Sequence, residues 1–261
     1  AGIIVDRVLA LSGQGGDELA VIGYGNLGAA QLHFESDLDL VFLHRCGQAP
    51  RRVVQRLVSA LQMPLPGGKL FEIDTRLRPN GRAGMLVSTL ESFAEYQRNK
   101  AWTWEHQALV RARWIAGNPA LKAEFEAIRA QVLGQQREKR LVADDLGGMR
   151  ARQLQQRRES FTRRALTDLQ FLAELGVLTQ AADHPDLLAH RDTGSQLDAL
   201  AATGWIAADQ ARALAGDWRR LVERRHLDWL RREPAPFDEK RVRARIDTAW
   251  HDRFGQAAKE K

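Results

Sequence analysis

"SDLDLVFLH", residues 36–44, places two aspartates one residue apart at the head of an otherwise apolar run. A short apolar run with polar residues at its mouth predicts a largely buried strand. Neighbouring carboxylates repel one another unless a cation or a proton lies between them. Alternate side chains of a strand share a face, so Asp37 and Asp39 point the same way, their Cα atoms about 6.6 Å apart. Carboxylates at that spacing can converge on one Mg²⁺, or on two ions about 3.5–4 Å apart. Magnesium takes hard oxygen ligands and bridges to substrate phosphates. The pair thus raises the question of which cation it holds, and for what reaction.

Two further runs, "ELAVIGYG" (18–25) and "KLFEIDTRLRP" (69–79), also read as strands. The first ends in a glycine-rich turn, "GYGNLG" (23–28), whose backbone N–H groups can cradle a triphosphate. In the second, Phe71, Ile73 and Leu77 alternate with Glu72, Asp74, Arg76 and Arg78, which predicts Asp74, Arg76 and Arg78 on one face. If that strand pairs beside the first two acids, Asp74 completes a metal-binding triad and the arginines neutralise phosphate charge. The candidate catalytic and metal-binding residues are therefore Asp37, Asp39 and Asp74. The candidate nucleotide contacts are Gly23, Gly25, Asn26, Ser36, Arg76 and Arg78.

"RRVVQRLVSALQ" (51–62) has the spacing of an amphipathic helix, ended by "MPLPGG" (63–68). From about residue 91 the chain loses strand alternation, with "GNP" (117–119) and "DDLGG" (144–148) as its breaks. In 207–232, Ala211, Leu214, Trp218, Leu221, Val222 and Trp229 fall near one helical face and are expected in the core. The texture implies two domains, a mixed-sheet domain at 1–119 and an all-α helical bundle at 120–261, an α+β chain.

With 44% apolar and 28% charged residues among 261, the chain has material for a sizeable core. No apolar stretch reaches the roughly 20 residues needed to span a bilayer, and no signal peptide is visible. The single cysteine, Cys46, excludes an internal disulfide framework and a multi-cysteine zinc site, and favours a cytoplasmic setting. The first residue is Ala, so a fragment of a longer protein is expected. The formal charge of +6 is mostly an arginine excess, dense in 150–164 and 219–232. It suits a nucleotide, a nucleic acid or an acidic protein surface, and equally a set of solvated helix faces. His106 reads as a packing residue rather than a base, Arg111 and Arg113 as reaching either phosphate or solvent. No H-E-x-x-H spacing exists for a zinc protease.

The glycine turn, the D-x-D strand and the later strand with an outward Asp resemble the nucleotidyltransferase superfamily that includes DNA polymerase β. "GYGNLGAAQLHFESDLDLVFLH", "FEIDTRLRPNGRAGMLVSTLESFAEYQRNKAWTWEHQALVRAR" and "IAGNPAL" narrow it: they resemble the glutamine synthetase adenylyltransferases, densely over 20–125. "EYQRNKAWTWEHQALVRAR" is similar to that family's C-terminal, adenylylating half. The resemblance implies a polymerase-β-like mixed-sheet nucleotidyltransferase domain followed by helices. It implies transfer of AMP from ATP, with Mg²⁺, to a tyrosine hydroxyl of glutamine synthetase, with glutamine and the PII signal protein as regulators. It matches Asp37, Asp39 and Asp74 to the family's three metal-binding acids. The chain departs from the family's pattern at Asn26 (usually Lys), Ala29-Ala30 (a Gly pair), Gln31 and Gln170 (each Glu). Asp168 is either a further acid of the reaction or its regulation, or an ordinary helix-surface residue. Two rivals stand beside this reading: a nucleotidyltransferase acting on nucleic acid, and a regulatory nucleotide-binding module without turnover.

Overall fold

A computed structural model describes residues 2–11, 18–45, 47, 49–66, 68–69, 71–156, 159–231 and 237–255; Cys46 lies outside them. The chain forms two compact units, Ala1–Val132 and Leu133–Lys261.

The first unit is built on β1 (Leu19–Gly23), β2 (Leu38–His44), β5 (Ile73–Asp74), β6 (Val87–Thr89) and β7 (Arg113–Gly117). They form one mixed sheet in the order β5-β2-β1-β7, with β6 also on β2. A separate hairpin joins β3 (Pro64–Leu65) to β4 (Gly68–Lys69). β2 runs antiparallel to β1 on one side. On its other side it pairs in parallel with β5 at its start, through Leu38 and Asp39, and with β6 at its end, through Phe42, Leu43 and His44. Leu40, Val41, Phe42 and Leu43 alternate between the two faces of β2 and are all buried, so both faces are covered, and this is why the run after Asp39 is apolar.

Helices α1 (Gly2–Leu11), α2 (Gly25–Gly28), α3 (Arg51–Leu61), α4 (Leu90–Asn99), α5 (Thr103–Val110) and α6 (Pro119–Leu133) complete the unit. Leu38, Leu40 and Phe42 of β2 join Val54, Leu57 and Leu61 of α3 and Val5 and Leu9 of α1 in one apolar cluster. Each such side chain, once buried, contributes roughly 1.5–3 kcal/mol. Thr89 caps α4, its side chain accepting from the Ser92 backbone N–H at 3.0 Å.

The second unit comprises α7 (Lys139–Gln156), α8 (Phe161–Gln180), α9 (Thr193–Ala202), α10 (Ala208–Trp229) and α11 (Glu239–Phe254), and no strand among its described residues. From Leu169 onward α8 is apolar on nearly every side, as a central core helix must be: Leu169, Leu172, Ala173 and Val177 are all fully buried.

The architecture is the expected α+β, with four local differences. The texture break at 119/120 falls at the start of α6, which packs in the first unit: Phe125 meets Phe93 with ring centroids 6.1 Å apart, and buried Arg129 donates to the carbonyls of Leu109 and Val110. "DDLGG" lies inside α7 rather than breaking it. The strand expected over 69–79 shrinks to β4 and β5, and residues 76–80 turn instead. Trp218 is buried, but Trp229, at the end of α10, is half exposed.

Candidate active site

The parallel pairing of β2 with β5 places Asp74 directly across from Asp39. Asp37 stands one residue before β2 and is exposed, while Asp39 and Asp74 are half-buried. The Asp39 carboxyl is pushed up to about 6, first by burial, then by the negative charges of Asp74 and Asp37; Arg76 and Arg111 pull it back in part. Asp74 moves the other way. Its carboxylate accepts from the Arg76 backbone N–H at 2.8 Å and from Arg76 Nε at 2.7 Å, and these bonds hold it below the usual carboxylate range.

The glycine turn fits closely over the first of these acids. Gly25 has a positive φ of 52°, and a Cβ there would fall 2.4 Å from Asp39 Oδ2, so no side chain fits between turn and carboxylate. The Tyr24 N–H donates to the Asp39 carbonyl at 2.9 Å, tying the turn to β2. At Gly23 a Cβ would meet Ile115 at 2.7 Å, and at Gly28 the Arg111 carbonyl at 2.2 Å. Helix α2 is a single turn, so Gly25, Asn26 and Leu27 carry first-turn N–H groups without an intrahelical acceptor.

Asn26 and Ser36 come together: Asn26 Nδ2 donates to Ser36 Oγ at 3.3 Å, and Ser36 Oγ also accepts from the His33 backbone N–H at 3.0 Å. Arg111 completes the group. It is 2% exposed, and its Nη2 donates to Gln31 Oε1 at 3.1 Å and to Asn26 Oδ1 at 3.4 Å. Arg113 Nη2 donates to the Leu27 carbonyl at 3.0 Å, so two arginines hold the turn. Two of the residues at which the chain departs from the family's pattern, Asn26 and Gln31, are therefore joined through one guanidinium.

Arg78 differs from its expected place on a common strand face with Asp74 and Arg76. Its guanidinium donates to the carbonyls of Thr75 at 2.7 Å and Gly84 at 3.2 Å, closing the loop after β5 on itself. Arg76 reaches Asp74 because the chain turns there, not because a strand continues. The helical face drawn through Trp102, His106, Leu109 and Arg113 also ends early, since α5 stops at Val110 and Arg113 begins β7. His106 Nε2 lies 2.8 Å from the Gln97 carbonyl, a packing contact. In the second unit Asp168 is 3% exposed and paired to Arg150 at 2.7 Å and Arg243 at 2.6 Å, so it is no helix-surface acid. Gln170 donates to Glu174 at 2.9 Å.

Among the described residues no three His, Cys, Asp or Glu side chains are gathered to hold a metal ion as they stand. Arg76 supplies the positive charge that Asp74 takes here. The donor set is nevertheless of the right chemistry, carboxylate oxygens alone, and the Asp39 carboxyl is raised first by burial and then by the two neighbouring acids.

Residues 7–128 match the family model described as glutamate–ammonia ligase adenylyltransferase. Three curated relatives share the name bifunctional glutamine synthetase adenylyltransferase/adenylyl-removing enzyme. The protein from Stenotrophomonas maltophilia (strain K279a) is 42% identical over 241 residues, 84% of this chain and 26% of the relative. That from Nitrosococcus oceani is 42% identical over 223 residues, 77% of this chain and 23% of the relative. That from Methylococcus capsulatus is 38% identical over 260 residues, 88% of this chain and 27% of the relative. The chain thus spans about a quarter of the length of the relatives it matches. Residues 7–128, the segment that carries all three aspartates, are thus the part of the chain that matches the glutamate–ammonia ligase adenylyltransferase family.

Proposed function

We propose that this chain transfers AMP from ATP to a tyrosine hydroxyl of glutamine synthetase and releases pyrophosphate. The observation that carries the reading is the register that sets Asp74 across from Asp39, two residues beyond Asp37. The relatives' name joins two opposed activities; adenylylation is favoured by the wording of "EYQRNKAWTWEHQALVRAR" (95–113).

In the reaction the phenol gives up its proton to water, its oxygen attacks the α-phosphorus, the bond to the β-phosphate bridge breaks, and pyrophosphate leaves with that electron pair. Asp37, Asp39 and Asp74 would hold Mg²⁺, which supplies charge neutralisation for the triphosphate and favours ionisation of the phenol. The first-turn amides of Gly25 and Asn26 are placed to donate to phosphate oxygens. Ser36 and Asn26 hold each other in position for the same task, and Arg111 keeps the turn pressed on Asp39. Arg76, more than half exposed on Asp74, can swing toward the leaving phosphates. The reading brings with it glutamine and the PII signal protein as regulators and a cytoplasmic location; no helix among the described residues is long and apolar enough to cross a membrane.

The test is incorporation of α-labelled AMP from Mg-ATP into glutamine synthetase, with glutamine present and Asp37→Asn alongside. Label on the acceptor with the parent chain and none with the variant is expected. Equal labelling by the two, or label removed from pre-adenylylated acceptor and none added, overturns the assignment.

A further inference from the structure

The second unit carries a cavity of about 550 Å³ along α10 and α11, within the size range of small-molecule sites. Its walls are rich in arginine. Arg212, Gly216, Arg220 and Arg224 follow one another at every fourth residue of α10, one row on one face, and Arg241 faces the same space from α11. Like charges four residues apart on a helix oppose folding, so the row of Arg220 and Arg224 is not explained by helix stability.

Three of the acids nearby are already engaged, and a fourth in the lining, Glu223, is exposed. Asp217, fully buried, is held by Arg245, whose Nε donates at 2.7 Å. Asp238 caps α11, accepting from the Arg241 backbone N–H at 2.9 Å. Glu239 pairs with Arg224 at 3.3 Å. Among the described residues, the guanidinium groups of Arg212, Arg220 and Arg241 have no acceptor, and buried Arg224 Nε has none either.

Gly216 is the second observation. A glycine inside a helix costs about 1 kcal/mol relative to alanine, so it usually marks a tight approach. Gly176 in α8 is of that kind: a Cβ there would strike Leu200 at 2.4 Å. At Gly216 a Cβ would meet nothing within 4 Å. The space left by its missing side chain is part of the cavity. Phe237 offers a ring at one wall, with the Arg224 guanidinium 5.5 Å from its centroid.

We propose that this cavity is a binding site for a small polyphosphate ligand, separate from the aspartate site of the first unit. Guanidinium groups from two helices grip the phosphate oxygens, since their planar forks match phosphate geometry. Phe237 and the stacked Arg224 present a flat surface to a base where the ligand is a nucleotide. Inorganic polyphosphate and nucleoside triphosphate share the phosphate chemistry and differ at Phe237.

The 261-residue chain is titrated calorimetrically with tripolyphosphate and with ATP, both in EDTA. The variants are Arg220→Glu, Gly216→Leu, Phe237→Ala and Asp39→Asn. One site is expected, weakened at least tenfold by Arg220→Glu and by Gly216→Leu and unchanged in Asp39→Asn. Loss of ATP affinity alone in Phe237→Ala identifies the nucleotide as the ligand; no effect there identifies inorganic polyphosphate. Gly216→Leu keeps or raises the melting temperature, which separates occlusion from unfolding. Absence of binding at millimolar ligand overturns the proposal. So does binding that survives Arg220→Glu, or a ten-residue poly-glutamate peptide that outcompetes tripolyphosphate at the same arginines.

Discussion

Asp39 and Asp74 are register partners across the parallel edge of β2 and β5, yet their acidities are driven in opposite directions. Burial and two neighbouring carboxylates make Asp39 easier to protonate; the Arg76 hydrogen bonds make Asp74 harder to protonate. One acid is left wanting a cation, and the other has borrowed one.

This asymmetry gives a pH signature in the absence of metal. Asp39 titrates at about 6 in the folded chain, against ~3.9 unfolded. Between those values the native state holds more protons, so the Asp39 contribution falls as pH rises from about 4 to about 6 and stays low above it. Asp74, depressed, contributes stability that is lost only as pH falls. In EDTA, Asp39→Asn should exceed the parent by about 3 kcal/mol at about pH 7 and match it below about pH 4. Urea unfolding of both chains across that range measures the difference; a constant gap would contradict it.

Arg76 competes with any cation for Asp74. In Arg76→Gln the affinity for Mn²⁺ alone, followed by its electron spin resonance signal, should rise several-fold, and the Asp74 carboxyl should titrate higher. A weaker affinity would mean that Arg76 orders the acids instead of opposing the ion.

Gly25 is the narrowest point of the site. Gly25→Ala places a methyl on the Asp39 carboxylate at a positive φ, a strain of about 1–3 kcal/mol. AMP transfer is expected to fall at least a hundredfold, with the far-ultraviolet circular dichroism spectrum unchanged. Gly216→Ala, where there is room, should stabilise the chain by about 0.4–1 kcal/mol.

The second unit rests on a buried charge cluster. Asp168→Ala removes the shared partner of Arg150 and Arg243 and leaves Arg150, its side chain 2% exposed, with Glu159 as its one acid partner among the described residues. A loss of about 3–5 kcal/mol in chemical denaturation is expected.

The parts of the site that sequence makes legible are those written in strand period. The D-x-D pair heads an apolar run, and Ile73 and Asp74 alternate, so the pairing of two acid-bearing strands is readable. Arg111 is not readable in this way. It sits at the end of α5, 80 residues from Gln31, and nothing local distinguishes it from a solvated arginine. Arg78 and Asp168 mislead for a related reason: an isolated charge carries no mark of the carbonyls or guanidiniums that the fold will bring to it. Trp229 shows the limit of helical period, since a face near the end of a 22-residue helix can outrun the neighbours that would cover it.

β5 and β6 hang from the same edge of β2, at Asp39 and at Phe42, about 10 Å apart along the strand. The chain between them, residues 75–86, is thus a hammock slung from two hooks on a single beam. Arg76 and Arg78 tie its near end, and the rest of it leaves the register of both hooks to the strands. The two acids that face each other at Asp39 and Asp74 are thus set by strand pairing, not by the sag of the chain between the hooks.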